Sequence, residues 1–121
     1  MSKLAFIITT PPLDNLTTSA IDIVHSAIVQ GIEIVGVFFY QDGVLNANKN
    51  IQIPSDEFQT LQAWQQLKKQ HKIALHLCIT AAEKRGLVCE GSQLTVDDVF
   101  CISGLGELVE LTNTADRVIQ L

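Results

Sequence analysis

Apolar runs alternate along this chain with amphipathic stretches, and the alternation predicts strands and helices in turn. Residues 3–9 (KLAFIIT) and 32–40 (IEIVGVFFY) are continuous apolar runs, the pattern of strands buried on both faces. Pro11 and Pro12 force a loop after the first run. From about Thr17 to Gln30, Ile21, Val24 and Ile28 recur on one helical face, and Gly31 is placed to end that helix. A polar stretch, QDGVLNANKNIQIPS, occupies 41–55. Ser55 then offers an N-cap for a second helix, with Asp56 and Glu57 in its first turn, and Lys68 and Lys69 in its last. Its apolar face is Phe58, Leu61, Trp64 and Leu67. Residues 73–78 (IALHLC) predict a third strand, and Thr80 to Arg85 a short helix closed by Gly86. A fourth strand at 99–102 (VFCI), a helix from Leu105 to Thr112 and a last strand, RVIQL, complete the series.

That order predicts an α/β fold: a three-layer α/β/α sandwich around a mostly parallel sheet of about five strands. In such sheets the working groups gather beyond the carboxyl ends of the strands. Three segments leave those ends, 10–16, 41–55 and 78–80, and Cys78 lies on the third.

With 121 residues, 47% hydrophobic and 17% charged, the chain is long and apolar enough for one domain with its own core. LAFIITT is too short to span a membrane and lacks the flanks of a secretion signal, so a cytoplasmic location is expected. The net charge of −5 argues against a direct grip on nucleic acid, which needs clustered cations. The basic pairs, Lys68-Lys69 with Lys72 and Lys84-Arg85, read as favourable charges at helix C-termini.

Three cysteines, Cys78, Cys89 and Cys101, have neither disulfide-framework nor zinc-site spacing and read as free thiols. Thr80 and Glu83 have capping-box spacing, which puts a helix start at or just after Cys78. A helix start can lower a thiol pKa from about 8.5 into the range of roughly 3.5–7.5. Cys78 is therefore the candidate nucleophile, expected to be exposed at a strand end; the competing reading is a small buried hydrophobe. Cys101 reads as core and Cys89 as a loop residue. Tyr40, Asp42 and Gly43 follow the second strand, where they could line a pocket for the thiol, although Asp, Gly and Asn also simply form turns. His25, His71 and His76 have no partner at metal spacing, no G-x-S-x-G elbow is present, and the lone G-x-G at 104–106 reads as the start of the last helix. Ile23 and Val29 fall off the apolar stripe of the first helix, as scattered surface residues or as part of a subunit interface.

FFYQDGVLNAN (38–48), SDEFQTLQAWQQL (55–67), LHLCITAAEKRG (75–86) and SGLGELVELTNTADRVIQL (103–121) together resemble the DsrE/TusD-like family of sulfurtransferases over essentially the whole chain. They are most similar to its members in the sulfur relay for 2-thiolation of the tRNA wobble uridine. The resemblance implies a single domain, 1–121, and a persulfide on Cys78, with no cofactor. It also implies a heterohexamer with related TusB-like and TusC-like subunits, a TusA-like sulfur donor and a TusE-like acceptor. Three other readings stay open: a carrier in dissimilatory sulfur metabolism, a noncatalytic scaffold subunit, and a thiol redox protein in which Cys89 or Cys101 resolves Cys78. The absence of C-x-x-C counts against the last.

Overall fold

The apolar runs pair as a five-stranded sheet in the order β4-β3-β2-β1-β5. The computed structural model describes residues 2–89 and 95–121. The strands are β1 (Lys3–Ile8), β2 (Glu33–Phe39), β3 (Leu75–Cys78), β4 (Cys101–Ser103) and β5 (Arg117–Gln120). Every neighbouring pair is parallel. The helices are α1 (Asn15–Val29), α2 (Thr60–His71), α3 (Ile79–Lys84) and α4 (Leu105–Thr114), and a 3-10 helix runs over Gln41–Ala47.

Right-handed crossovers decide the layers. The steps β1 to β2 and β2 to β3 move in one direction, so α1 and α2 share a face and touch. The step from β4 back to β5 runs the other way and puts α4 on the opposite face. Side chains confirm the assignment. Phe39 packs edge-on against Trp64 of α2, with centroids 4.9 Å apart, whereas a Cβ on Gly36 would meet Leu111 of α4 at 2.7 Å. The predicted three-layer α/β/α sandwich is the observed one.

The fully buried core lies mostly between the sheet and α1/α2, and includes Phe6, Ile8, Val24, Phe39, Trp64, Leu75 and Leu77. Ile21 and Val24 are buried as the periodicity predicts, while Ile23 and Val29 are exposed. Asp14 caps α1, its Oδ1 accepting from the Leu16 N–H at 2.8 Å. The proline loop keeps its carbonyls satisfied through two buried threonines: Thr17 Oγ1 donates to Pro11 and Thr60 Oγ1 to Pro12, each at 2.7 Å.

Three elements differ from the sequence expectation. Helix α2 begins at Thr60, not after Ser55. The Gln59 amide donates to the carbonyls of Ile53, Pro54 and Glu57 and wraps 53–59 into a turn, leaving Asp56 and Glu57 before the helix and Phe58 exposed. Cys101 is exposed, not core. Phe100 takes the buried place, against Phe39 at 5.1 Å, and the strand alternation then turns Cys101 to the thinly covered α4 face of an edge strand. The polar stretch after β2 is no open loop, because its first half coils into the 3-10 helix.

Asn46 fixes that 3-10 helix. It is 1% exposed, and its amide donates to the Thr10 carbonyl at 3.0 Å and the Gly43 carbonyl at 2.8 Å. Its carbonyl accepts from the Trp64 indole N–H at 3.1 Å. Gly43 lies so close to β1 that a Cβ would sit 1.9 Å from the Ile8 carbonyl oxygen. On the other face, His76 ties β3 to α4. Its Nδ1 lies 3.0 Å from Ser103 Oγ and its Nε2 3.4 Å from Glu107 Oε1. Burial pushes the His76 pKa below the ordinary 6.5, aided by Lys68 and opposed by Glu107.

Gly43→Ala should destabilise the fold by about 3 kcal/mol or more, because backbone would have to move. Asn46→Leu should cost about 2–3 kcal/mol by stranding the Trp64 donor and two carbonyls. Gly106→Ala is the control: nothing lies within 4 Å of its added Cβ, so stability should hold or rise. Urea unfolding measures all three.

Because the folded pKa of His76 is depressed, the unfolded chain takes up its proton first as pH falls. Its stabilising effect is complete above the ordinary value of 6.5 and is lost as pH drops below it towards the folded value. Thermal melts across this window should show wild type losing more stability than His76→Gln.

Candidate functional site

Strand β3 ends at Cys78, and α3 begins at the next residue with Cys78 itself as N-cap (φ −64°, ψ 120°). The capping box expected from Thr80 and Glu83 does not form, since no side chain caps this helix. Burial explains the frame: a start at Ile79 places Ala81 and Ala82 inward, against the 3-10 helix, and leaves Glu83 in solvent. Cys78 is the register partner of Ser103 and shares its α4 side of the sheet with His76.

The expected exposure of the Cys78 thiol is not observed; the residue is 1% exposed. It is nevertheless not sealed in the core. Cys78 forms part of the wall of an open cavity of about 300 Å³, shared with Tyr40, Gln41, Thr80, Ala81, Lys84, Arg85 and Leu105. That is the lower end of the size range of small-molecule sites. The other two thiols, Cys89 and Cys101, are exposed and outside this lining.

Of the residues singled out in sequence, Cys78, Thr80 and Tyr40 meet at the cavity. Asp42 acts one step away: its Oδ1 accepts from Arg85 Nε at 2.9 Å. Gly43 is absent from the lining and is needed instead for the close approach to Ile8. Gln41 holds a left-handed backbone, φ 51°, between Tyr40, whose N–H donates to Ile8, and Gly43, whose N–H donates to Tyr40, each at 2.9 Å. A non-glycine residue there costs about 1–2 kcal/mol, and it persists because its neighbours are fixed.

Sequence reasoning passed over Lys84, Arg85, Gln41 and Leu105. A usable signal existed for Arg85. Positions 78, 81 and 85 follow the i, i+3, i+7 spacing that shares one helical face. No such signal reaches Leu105, which α4 brings in from a segment 27 residues further along the chain than Cys78. Among the described residues, no three His, Cys, Asp or Glu side chains converge as a metal site.

The arrangement can therefore hold a thiol and a small anionic group beside it, next to two cations, in one open cavity. Comparison with known proteins agrees in sequence and in fold. Residues 2–121 match the model of the DsrE/DsrF-like family. The proteins named Sulfurtransferase TusD from Salmonella paratyphi B, Salmonella heidelberg and Salmonella schwarzengrund are each 40% identical over 110 residues, covering 85% of this chain and 86% of theirs. The crystal structure of the ychN protein from E. coli superposes with a TM-score of 0.78 over 100% of both chains at 24% identity, a likeness of fold. With a whole-length family match carried on this parallel sheet and this cysteine-lined cavity, the chain belongs to the DsrE/DsrF-like family.

Proposed function

We infer that this chain is a sulfurtransferase that carries sulfur as a persulfide on Cys78 within a sulfur relay. The observation that carries the assignment is a thiol in the wall of an open cavity at the carboxyl edge of the sheet, in a chain 40% identical to proteins named Sulfurtransferase TusD. A scaffold subunit has no use for a cavity at its cysteine. A reactive persulfide does, since a recess beside the thiol gives the outer sulfur room and neighbours.

The transfer balances without a cofactor. The Cys78 thiolate attacks the outer sulfur of a donor persulfide, R–S–SH; a new S–S bond forms, the donor S–S bond breaks, and R–S⁻ leaves. An acceptor thiolate then attacks the outer sulfur of Cys78–S–SH, and the Cys78 thiolate is expelled. In the proposed relay a TusA-like protein is the donor and a TusE-like protein the acceptor, while TusB-like and TusC-like subunits complete a heterohexamer. The product is 2-thiolated wobble uridine in tRNA, made in the cytoplasm, with no tRNA contact by this acidic chain itself.

Incubation with a persulfide donor followed by intact-mass and peptide analysis should find one stable extra sulfur, on Cys78. Cys78→Ser should abolish it, and Cys89→Ser and Cys101→Ala should not. An extra sulfur mainly on Cys89 or Cys101 would falsify the assignment, and a Cys78–Cys101 disulfide in its place would favour thiol redox chemistry.

In a strain lacking the corresponding relay subunit, wild type should restore wobble 2-thiouridine. Cys78→Ser should leave it at background while still assembling with its partners, because the exchange of sulfur for oxygen barely alters volume. Nucleoside mass spectrometry reads the difference. Full thiolation supported by Cys78→Ser would return this chain to a scaffold role.

A further inference from the structure

Lys84 and Arg85 place two cations on the wall of the Cys78 cavity in a chain whose net charge is −5. Arg85 is anchored there. Its Nε donates to Asp42 Oδ1 at 2.9 Å and its Nη1 to the Ala81 carbonyl at 3.1 Å. The Arg85 side chain is 27% exposed and that of Asp42 61%, so the cation is the better covered member of the pair. A guanidinium has five N–H donors, and among the described residues these two bonds are the ones it makes. The remaining donors are left for an occupant of the cavity. Because the side chain is already held through two of its three nitrogens, little further ordering is needed to bind one.

We propose that Arg85 is an anion-binding residue of this cavity that receives the ionised outer sulfur of the Cys78 persulfide. The proposal rests on the reading of Cys78 as the sulfur carrier. A persulfide is a stronger acid than its parent thiol, so after R–S⁻ has left, Cys78–S–SH gives its proton to solvent and becomes Cys78–S–S⁻. That charge projects from the buried Cys78 into the cavity, where a fixed cationic donor on the same wall can bind it. Arg85 lies two helical turns beyond Cys78 and shares its cavity. On discharge the outer sulfur takes a proton back, the acceptor thiolate attacks it, and the departing Cys78 thiolate leaves as an anion beside the same guanidinium. One fixed cation thus serves the resting carrier and the leaving group.

The test uses the full chain and two alkylating reagents of nearly equal size, anionic iodoacetate and neutral iodoacetamide, with labelling resolved by peptide mass spectrometry. Arg85→Gln should lower the iodoacetate-to-iodoacetamide rate ratio at Cys78 about tenfold, the scale of one charge-assisted hydrogen bond. Arg85→Lys should keep most of the ratio. The ratios at Cys89 and Cys101 should not move. An unchanged ratio at Cys78, an equal fall at all three thiols, or failure of either reagent to reach Cys78 would overturn the proposal. Should Arg85→Gln fail to fold, the wild type still decides: salt should slow iodoacetate at Cys78 more steeply than iodoacetamide, and equal salt dependence overturns the proposal. Loading of the wild type with a persulfide donor separates the two readings. Extra sulfur on Cys78 with an unmoved ratio removes Arg85 from the site, whereas a shifted ratio without extra sulfur removes the carrier reading instead.

Discussion

The side chain of Asn46 holds the functional edge of this molecule together. Three hydrogen bonds from one buried amide join the β1 loop at Thr10, the 3-10 helix at Gly43 and helix α2 at Trp64. A buried amide with unmet donors or acceptors would be strongly unfavourable, so the three segments are bound to one relative placement. Everything at the cavity inherits that placement. Tyr40 and Gln41 precede Asn46 within one short turn of chain, Asp42 is set to meet Arg85, and the left-handed backbone at Gln41 is tolerated because both sides of it are pinned.

The thiol is buried by residue and reachable by cavity, and the two facts belong together. A strand that ends in the sheet interior gives Cys78 neighbours on both sides, β2 and β4, so the residue loses nearly all its surface. The immediate start of α3 then turns the chain away and leaves a recess over the sulfur, not a protrusion. A protruding thiol of the Cys101 kind meets any oxidant in solution. A recessed one is met only through the cavity whose wall it shares.

The sheet, its order of elements and the place of Cys78 between a strand end and a helix start were legible because they depend on local patterns: continuous apolar runs, helical periodicity and turn residues. The failures have a common physical source. The α2 boundary is set by Gln59 folding back on Ile53 and Pro54, and the α3 frame by the burial of Ala81 and Ala82, and each of these contacts outweighed a locally good cap at Ser55 or Thr80. Cys101 was misjudged because apolar neighbours do not reveal which face of an edge strand is covered. The Asp42–Arg85 pair joins positions 43 apart and leaves no trace in either local pattern, so the two charges read as a turn and a helix end.

Leu105 belongs to α4, the helix that packs through Leu111 over Gly36, and it supplies part of the wall around Cys78. The cavity is therefore assembled from two parts of the chain with different obligations. The strand end and α3 supply the thiol and the cations beside it; the first turn of α4 supplies an apolar side chain. Bulk at position 105 can change, widening or narrowing the cavity, while the thiol and the cations stay as they are. The chemistry of the cavity and its width are thus written on separate elements, and a lineage can alter the second without risking the first.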